Sequence, residues 1–260
     1  MLALAQFAVR LICGMSLVLW AMPRATVASG FFRIQMLIVM GLGVLAILAG
    51  QSAAASTEIP SWIPMIHLCL CVTIASMGFV ASVLWTLERR TGAVLLLALI
   101  AIASMVGVVS GDFLSPPSQW NTHWSLILAS DFSSALTLGS ALCGMLLGHY
   151  YLTSPTMSIA PLSRLNHFLG WAGIFRGVIS AFVLSLAWGQ LKWEGVFGTW
   201  LALRWIAGIF GPFMVWQMVH RILSFRNTQA ATGVLFVGVI LTLLGELTGT
   251  LLLTSTGFPL

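Results

Sequence analysis

The stretch Ala93 to Val109, AVLLLALIAIASMVGVV, holds no charged residue over seventeen positions. A strand half exposed to lipid would alternate polar and apolar side chains, and a strand run this long is unusual. A helix of this length, extended by its neighbours, covers the hydrocarbon thickness of a bilayer, and a helix is one of the two structures that satisfy every backbone hydrogen bond there. The same pattern recurs along the chain. Apolar stretches at 1 to 22, 31 to 50, 63 to 86, 93 to 111, 126 to 151, 162 to 189, 197 to 219 and 231 to 254 predict eight transmembrane helices. Composition agrees, with 59% hydrophobic and only 7% charged residues and a mean hydropathy of +1.04. Soluble domains carry about 25% charged residues, so a soluble fold is excluded. Four scattered cysteines make no disulfide framework.

The connections predict orientation. Arg24, Arg33, Arg89, Arg90, Arg164, Arg221 and Arg226 fall in the loops after spans one, three, five and seven or at their edges, while the alternate loops hold Glu58, Asp112, Lys192 and Glu194. The positive-inside rule makes the first set cytoplasmic and both termini periplasmic, as in a multi-pass protein of a bacterial inner membrane. Span one has no basic side chain before its apolar run and carries Arg10 within it, so it reads as an uncleaved helix rather than a signal peptide. The net charge of +5 belongs to topology and anionic lipid, and no nucleic-acid partner is implied. Most tryptophans, Trp120 and Trp193 among them, sit at span ends as an aromatic belt.

A shift of about half the chain lays Cys13-Gly14-Met15 over Cys143-Gly144-Met145, Pro23 near Pro155, and Phe32-Arg33-Ile34 near Ser163-Arg164-Leu165. Four spans followed by four more at similar intervals predict an all-α protein of two parallel four-helix bundles, residues 1 to 125 and 126 to 260.

Charges inside spans cost about 3 kcal/mol each on insertion scales, which makes them the first candidates for a site. At 1.5 Å per residue, Asp131 lies about 8 Å from the outer face, Arg204 about 10 Å from it, and Arg176 and Glu246 about 21 and 22 Å from the inner face. All four then share one level in the outer half of the second bundle, where they form a polar site or proton relay, or an ion-pair network that fixes packing. Asp131 has a further reading as the cap of a helix starting near Ser130. Thr242, Glu246 and Thr250 follow i, i+4 spacing and form one polar stripe. In the first bundle Arg10 has Asp112 and Glu58 as possible partners.

His67 and His123 fall near the outer surface, and His149, His167 and His220 near the inner one. His149 and His167 flank one loop and are candidates for a quinone headgroup or a haem b, although interfacial histidine is the simpler reading. No Cys-x-x-Cys or His-Glu-x-x-His occurs, so no metal ligand set is expected.

The closing segment Leu244-Gly245-Glu246-Leu247-Thr248-Gly249 resembles the Gly-Glu-Leu-x-Gly ending of membrane anchor subunits of the dimethyl sulfoxide reductase type, within the quinol-interacting anchors. Those anchors also have eight helices and outward termini. The family segment continues with Arg where this chain has Thr250. The resemblance implies an anchor subunit that binds quinone or menaquinone and docks an iron–sulfur or other redox partner on the outer side. In that reading Glu246 exchanges the proton with Asp131 nearby, Arg204 or Arg176 binds the carbonyl, and Trp205 packs on the ring. The alternatives are a proton-coupled secondary transporter, for which the Gly211-Pro212 break in span seven speaks, and a non-catalytic scaffold subunit.

Overall fold

The computed structural model describes residues 2–51, 60, 62–114, 124–154, 157–191 and 195–260. Glu58, Trp120, His123, Pro155, Lys192, Trp193 and Glu194 lie outside the described residues. Among the described residues there is no strand, and eight helices are long and apolar enough to cross a membrane. The chain is an integral membrane protein. It divides into two compact units, Met1–Pro117 and Ser118–Leu260.

The first unit contains α1 (Leu2–Ala21), α2 (Ser29–Gln51), α3 (Trp62–Thr86) and α4 (Arg90–Asp112), with a single 3-10 turn at Arg24–Thr26. Helix α1 packs on α2 and α4, and α3 packs on the same two, so the four close into a ring. Lipid removes the hydrophobic drive between helices, and contact then depends on close packing of small residues. The α2–α3 contact shows this: a Cβ on Gly78 would stand 3.1 Å from the Met36 carbonyl oxygen, and one on Gly43 would stand 3.0 Å from Ala75 Cβ.

The second unit contains α5 (Trp124–Thr153), α6 (Ala160–Ala187), α7 (Phe197–Trp205), α8 (Gly211–Ser224) and α9 (Thr228–Thr256). Its ring runs α5 to α6, α6 to α8, α8 and α7 to α9, and α9 back to α5. Pro161 stands in the first turn of α6, where its missing N–H has no helical acceptor in any case. Asn227 caps α9, its side-chain oxygen accepting from the Ala230 N–H at 3.0 Å.

Helices α7 and α8 form one span, Phe197–Ser224, joined by a π turn at Ile206–Phe210 in which the Gly211 N–H donates to the Ile206 carbonyl five residues back. Pro212 follows immediately. It offers no N–H and crowds the carbonyl four residues earlier, and the widened turn relieves that conflict. Past α9, Gly257 takes the left-handed conformation with φ 74°, and its N–H donates to the Leu253 carbonyl at 2.9 Å. This reversal turns Phe258–Leu260 back into the unit, where Leu260 is buried among Ile179, Val183, Leu201 and Leu252.

Candidate functional site

Arg176, Arg204 and Glu246 of the second unit meet in one place, with the Asp131 charge acting on Arg176. Glu246, about two thirds of the way along α9, is flanked by glycines that set the geometry. Gly245 lets α9 rest directly on the π turn, since a Cβ there would stand 2.0 Å from Gly208 Cα. Arg204 lies one turn before Gly208, so its side chain runs along α9. Its guanidinium passes over Gly249, where an added Cβ would touch Cζ and Nε at 3.4 Å. The Gly245-x-x-x-Gly249 spacing therefore serves two contacts, one with backbone and one with a guanidinium.

Arg204 Nη1 donates to Glu246 Oε1 at 2.9 Å, its Nε to the Leu260 carbonyl at 3.2 Å, and its Nη2 reaches Ser180 Oγ at 3.5 Å. Arg176 on α6 approaches from the other side and binds the same carboxylate in a fork, Nε to Oε1 at 3.0 Å and Nη2 to Oε2 at 3.1 Å. Its Nη1 donates into α5, to Ser130 Oγ at 2.6 Å, Ser133 Oγ at 3.3 Å and the Ser130 carbonyl at 3.1 Å. Ser130 Oγ in turn donates to the Pro259 carbonyl at 3.4 Å. None of Arg176, Arg204, Glu246 and Asp131 is more than 3% exposed.

Two arginines and two acids cancel in formal charge, and the fork supplies the directional, charge-assisted bonds that a buried pair needs to offset desolvation. Both Glu246 oxygens are occupied by guanidinium donors. The network joins α5, α6, α7, α9 and the reversed segment after Gly257, so its evident chemical capacity is to hold these elements in one geometry.

Several expectations change. Asp131 does not begin a helix: α5 starts at Trp124, so Asp131 lies well inside it and is buried beside Ser130. The threonines of the α9 stripe serve their own helix, with Thr242 Oγ1 donating to the Gly238 carbonyl at 2.8 Å and Thr250 Oγ1 to that of Glu246 at 3.0 Å. Trp205 stays half-buried against the apolar cluster around Leu260, with its ring 6.3 Å from that of Phe210. His149 and His167 go to different neighbours. His149 lies edge-on to Phe236 of α9 at 6.5 Å, whereas the His167 ring meets His220 at 5.6 Å and its Nδ1–H donates to the Ser163 carbonyl at 2.7 Å.

Sequence reasoning missed several participants in the network. The serines on α5 and α6 and the carbonyls of Pro259 and Leu260 look inert in a sequence, because hydroxyl spacing alone does not distinguish a ligand from a serine bonded to its own helix. His67, near the start of α3, is 3% exposed, with Nδ1 2.9 Å from Ser110 Oγ of α4. That hydroxyl already donates to the Gly107 carbonyl at 3.1 Å, so it accepts from His67 and the ring proton sits on Nδ1. Gln6 Nε2 donates to the Gly111 carbonyl at 2.8 Å nearby, and Arg10 and Asp112 are also buried in this unit.

A cavity of about 540 Å³ opens at the end of the second unit away from the loop arginines. Phe197 and Trp200 of α7 supply its aromatic walls, Leu191 and Val196 its aliphatic ones, and Gln190, Ser255 and Thr256 its polar groups. Leu191 and Phe197 also belong to the apolar cluster around Leu260, so that cluster forms part of the cavity wall.

No family model, curated protein or solved structure matches the chain.

Proposed function

We propose that this integral membrane protein is the membrane anchor subunit of an electron-transfer complex, which binds a quinone or quinol and docks a redox partner at the end away from the loop arginines. The cavity beside α7 and the end of α9 carries this reading. Its aromatic and aliphatic walls suit a quinone ring, and Gln190, Ser255 and Thr256 can hydrogen-bond ring oxygens. The resemblance of Gly245-Glu246-Leu247-Thr248-Gly249 to the anchor ending points the same way. In this reading the redox centres belong to the partner, and the chain contributes orientation and a greasy cleft. Glu246, Arg176 and Arg204 brace the helices that form the cavity. Proton exchange through Glu246 requires opening the Arg176 fork, which makes the hydroxyl and amide side chains of the cavity the direct headgroup contacts. The loop arginines orient the protein in a bacterial inner membrane with both termini periplasmic.

Purification together with its partners, followed by quinone extraction and titration with a menaquinol analogue, tests the reading. Bound quinone is expected in the native protein, with analogue affinity weakened roughly tenfold in Trp200→Leu, about what one lost aromatic contact supplies. Absence of bound quinone, with partner activity unaltered in Trp200→Leu, refutes it.

The closure of the ion-pair network favours a second reading, a scaffold subunit without a ligand. In that case exchanging Arg204 and Glu246 restores function wherever it restores assembly, and no quinol analogue binds.

A further inference from the structure

Two buried polar pairs stand apart from the ion-pair network, one in each unit. In the first unit Gln35 of α2 is fully buried, and neither Oε1 nor Nε2 has a hydrogen-bond partner among the described residues. Trp85 of α3, 1% exposed, has its Nε1 in the same condition. The two residues share an interface: Phe32, one turn before Gln35, stacks on the Trp85 ring at 4.4 Å and 14°.

The second unit repeats the arrangement between α6 and α8. Asn166 Nδ2 donates to the Trp216 carbonyl at 3.1 Å, while Asn166 Oδ1 and Trp216 Nε1 have no partner among the described residues. Gly170, one turn after Asn166, leaves the space in which the indole lies, since a Cβ there would stand 2.6 Å from Nε1.

One register relates the two pairs. Adding 131 to the numbers carries Gln35 onto Asn166 and Trp85 onto Trp216, and the same shift carries Arg33 onto Arg164 and Arg90 onto Arg221. Each unit thus places a carboxamide oxygen and an indole N–H on the interface between its second and third spans. An acceptor and a donor buried on one interface are both satisfied by a molecule that accepts from N–H and donates through O–H. Buried polar groups without a protein partner are met in this way, by an enclosed water with two to four hydrogen bonds.

We propose that each unit holds one ordered water at this interface, accepting from the indole N–H and donating to the carboxamide oxygen. The two sites differ in strength. Gln35 Nε2 adds a third contact in the first unit, whereas Asn166 Nδ2 is already used, and Trp216 is less deeply buried than Trp85. Water at Gln35 and Trp85 exchanges more slowly.

Full-length protein labelled with 15N at the indoles, in detergent micelles, tests this. The Trp85 and Trp216 signals are assigned by Trp85→Phe and Trp216→Phe, and each indole proton is examined for cross-relaxation with a long-lived water. The expected result is a water cross-peak at both, slower to exchange at Trp85, with the Trp85 peak lost in Gln35→Leu and the Trp216 peak lost in Asn166→Leu. Native protein in which neither indole shows a long-lived water overturns the proposal, whether the shifts report a direct indole-to-carboxamide bond or an unbonded N–H. That measurement on the native chain decides even if a leucine variant fails to fold.

Discussion

The two units share a packing plan and differ in what they bury. In each, the first span packs on the second and fourth and the third closes the ring, and the first span is the most enclosed, with 67% of its apolar window buried in both α1 and α5. The first unit pulls α2 and α3 together through Gly43 and Gly78. The second places an arginine–glutamate–arginine network across α6, α7 and α9. The first unit also buries Arg10 and Asp112, so each ring holds charge, and in the second the desolvation cost of two guanidinium groups on one carboxylate must be offset within the network itself.

Removing one member of the network is the strongest way to break this contrast. Glu246→Leu leaves two guanidinium groups buried without their carboxylate and is expected to destabilise the second unit by about 3–5 kcal/mol, read by thermal or SDS unfolding in detergent. Replacing Asp131, Arg176, Arg204 and Glu246 together by Leu or Met removes the network and leaves the small-residue contacts of the second unit in place. Recovery of stability to within about 1 kcal/mol of the native value is expected. If the fourfold variant stays as unstable as Glu246→Leu, the charges hold the fold in a way that apolar packing cannot replace.

A smaller effect separates the serines of the two units. Ser130→Ala removes an acceptor 2.6 Å from a buried guanidinium and is expected to lower stability by about 1.5–3 kcal/mol, as for bonds to charged groups, whereas Ser110→Ala removes a neutral partner of His67 and is expected to cost about 1 kcal/mol. Equal losses would mean that the Arg176 contacts on α5 contribute no charge-assisted strength.

The third comparison is steric, and its two members differ least from one another. Gly245→Ala forces α9 off the π turn and Gly78→Ala forces α3 off α2, each expected to cost about 1–3 kcal/mol by overpacking, with Gly245 the worse because its Cβ would meet backbone at 2.0 Å rather than 3.1 Å. Helix association measured by cross-linking across each contact checks the order.

How much of this was legible in the sequence follows from which interactions are local. The eight spans were, because lipid as solvent makes each apolar run declare itself without reference to the rest of the chain. The common depth of Arg176, Arg204 and Glu246 was too, since helical rise converts residue number into height. What height leaves open is azimuth, the side of the helix on which a group lies. Thr242 and Thr250 share a face with Glu246 yet bond to their own backbone, and His149 and His167, close in sequence, turn to different helices. The acceptors at Pro259 and Leu260 are backbone atoms, which no side-chain pattern announces, and they arrive through one left-handed glycine.

The π turn at Ile206–Phe210 has a consequence of phase. Each residue of a regular helix advances the side-chain direction by about 100°, so a widened turn resets the angular relation between everything before it and everything after. Arg204 points into the unit while α8 keeps its own apolar face towards α9 because the two halves of the span are not in step. Span seven works as two rotors on one shaft. A change that adds or removes a residue within the turn re-indexes the arginine against α8 by about 100° without altering the span's composition, so the direction of its only charge above Arg221 is set by residues that carry no polar side chain.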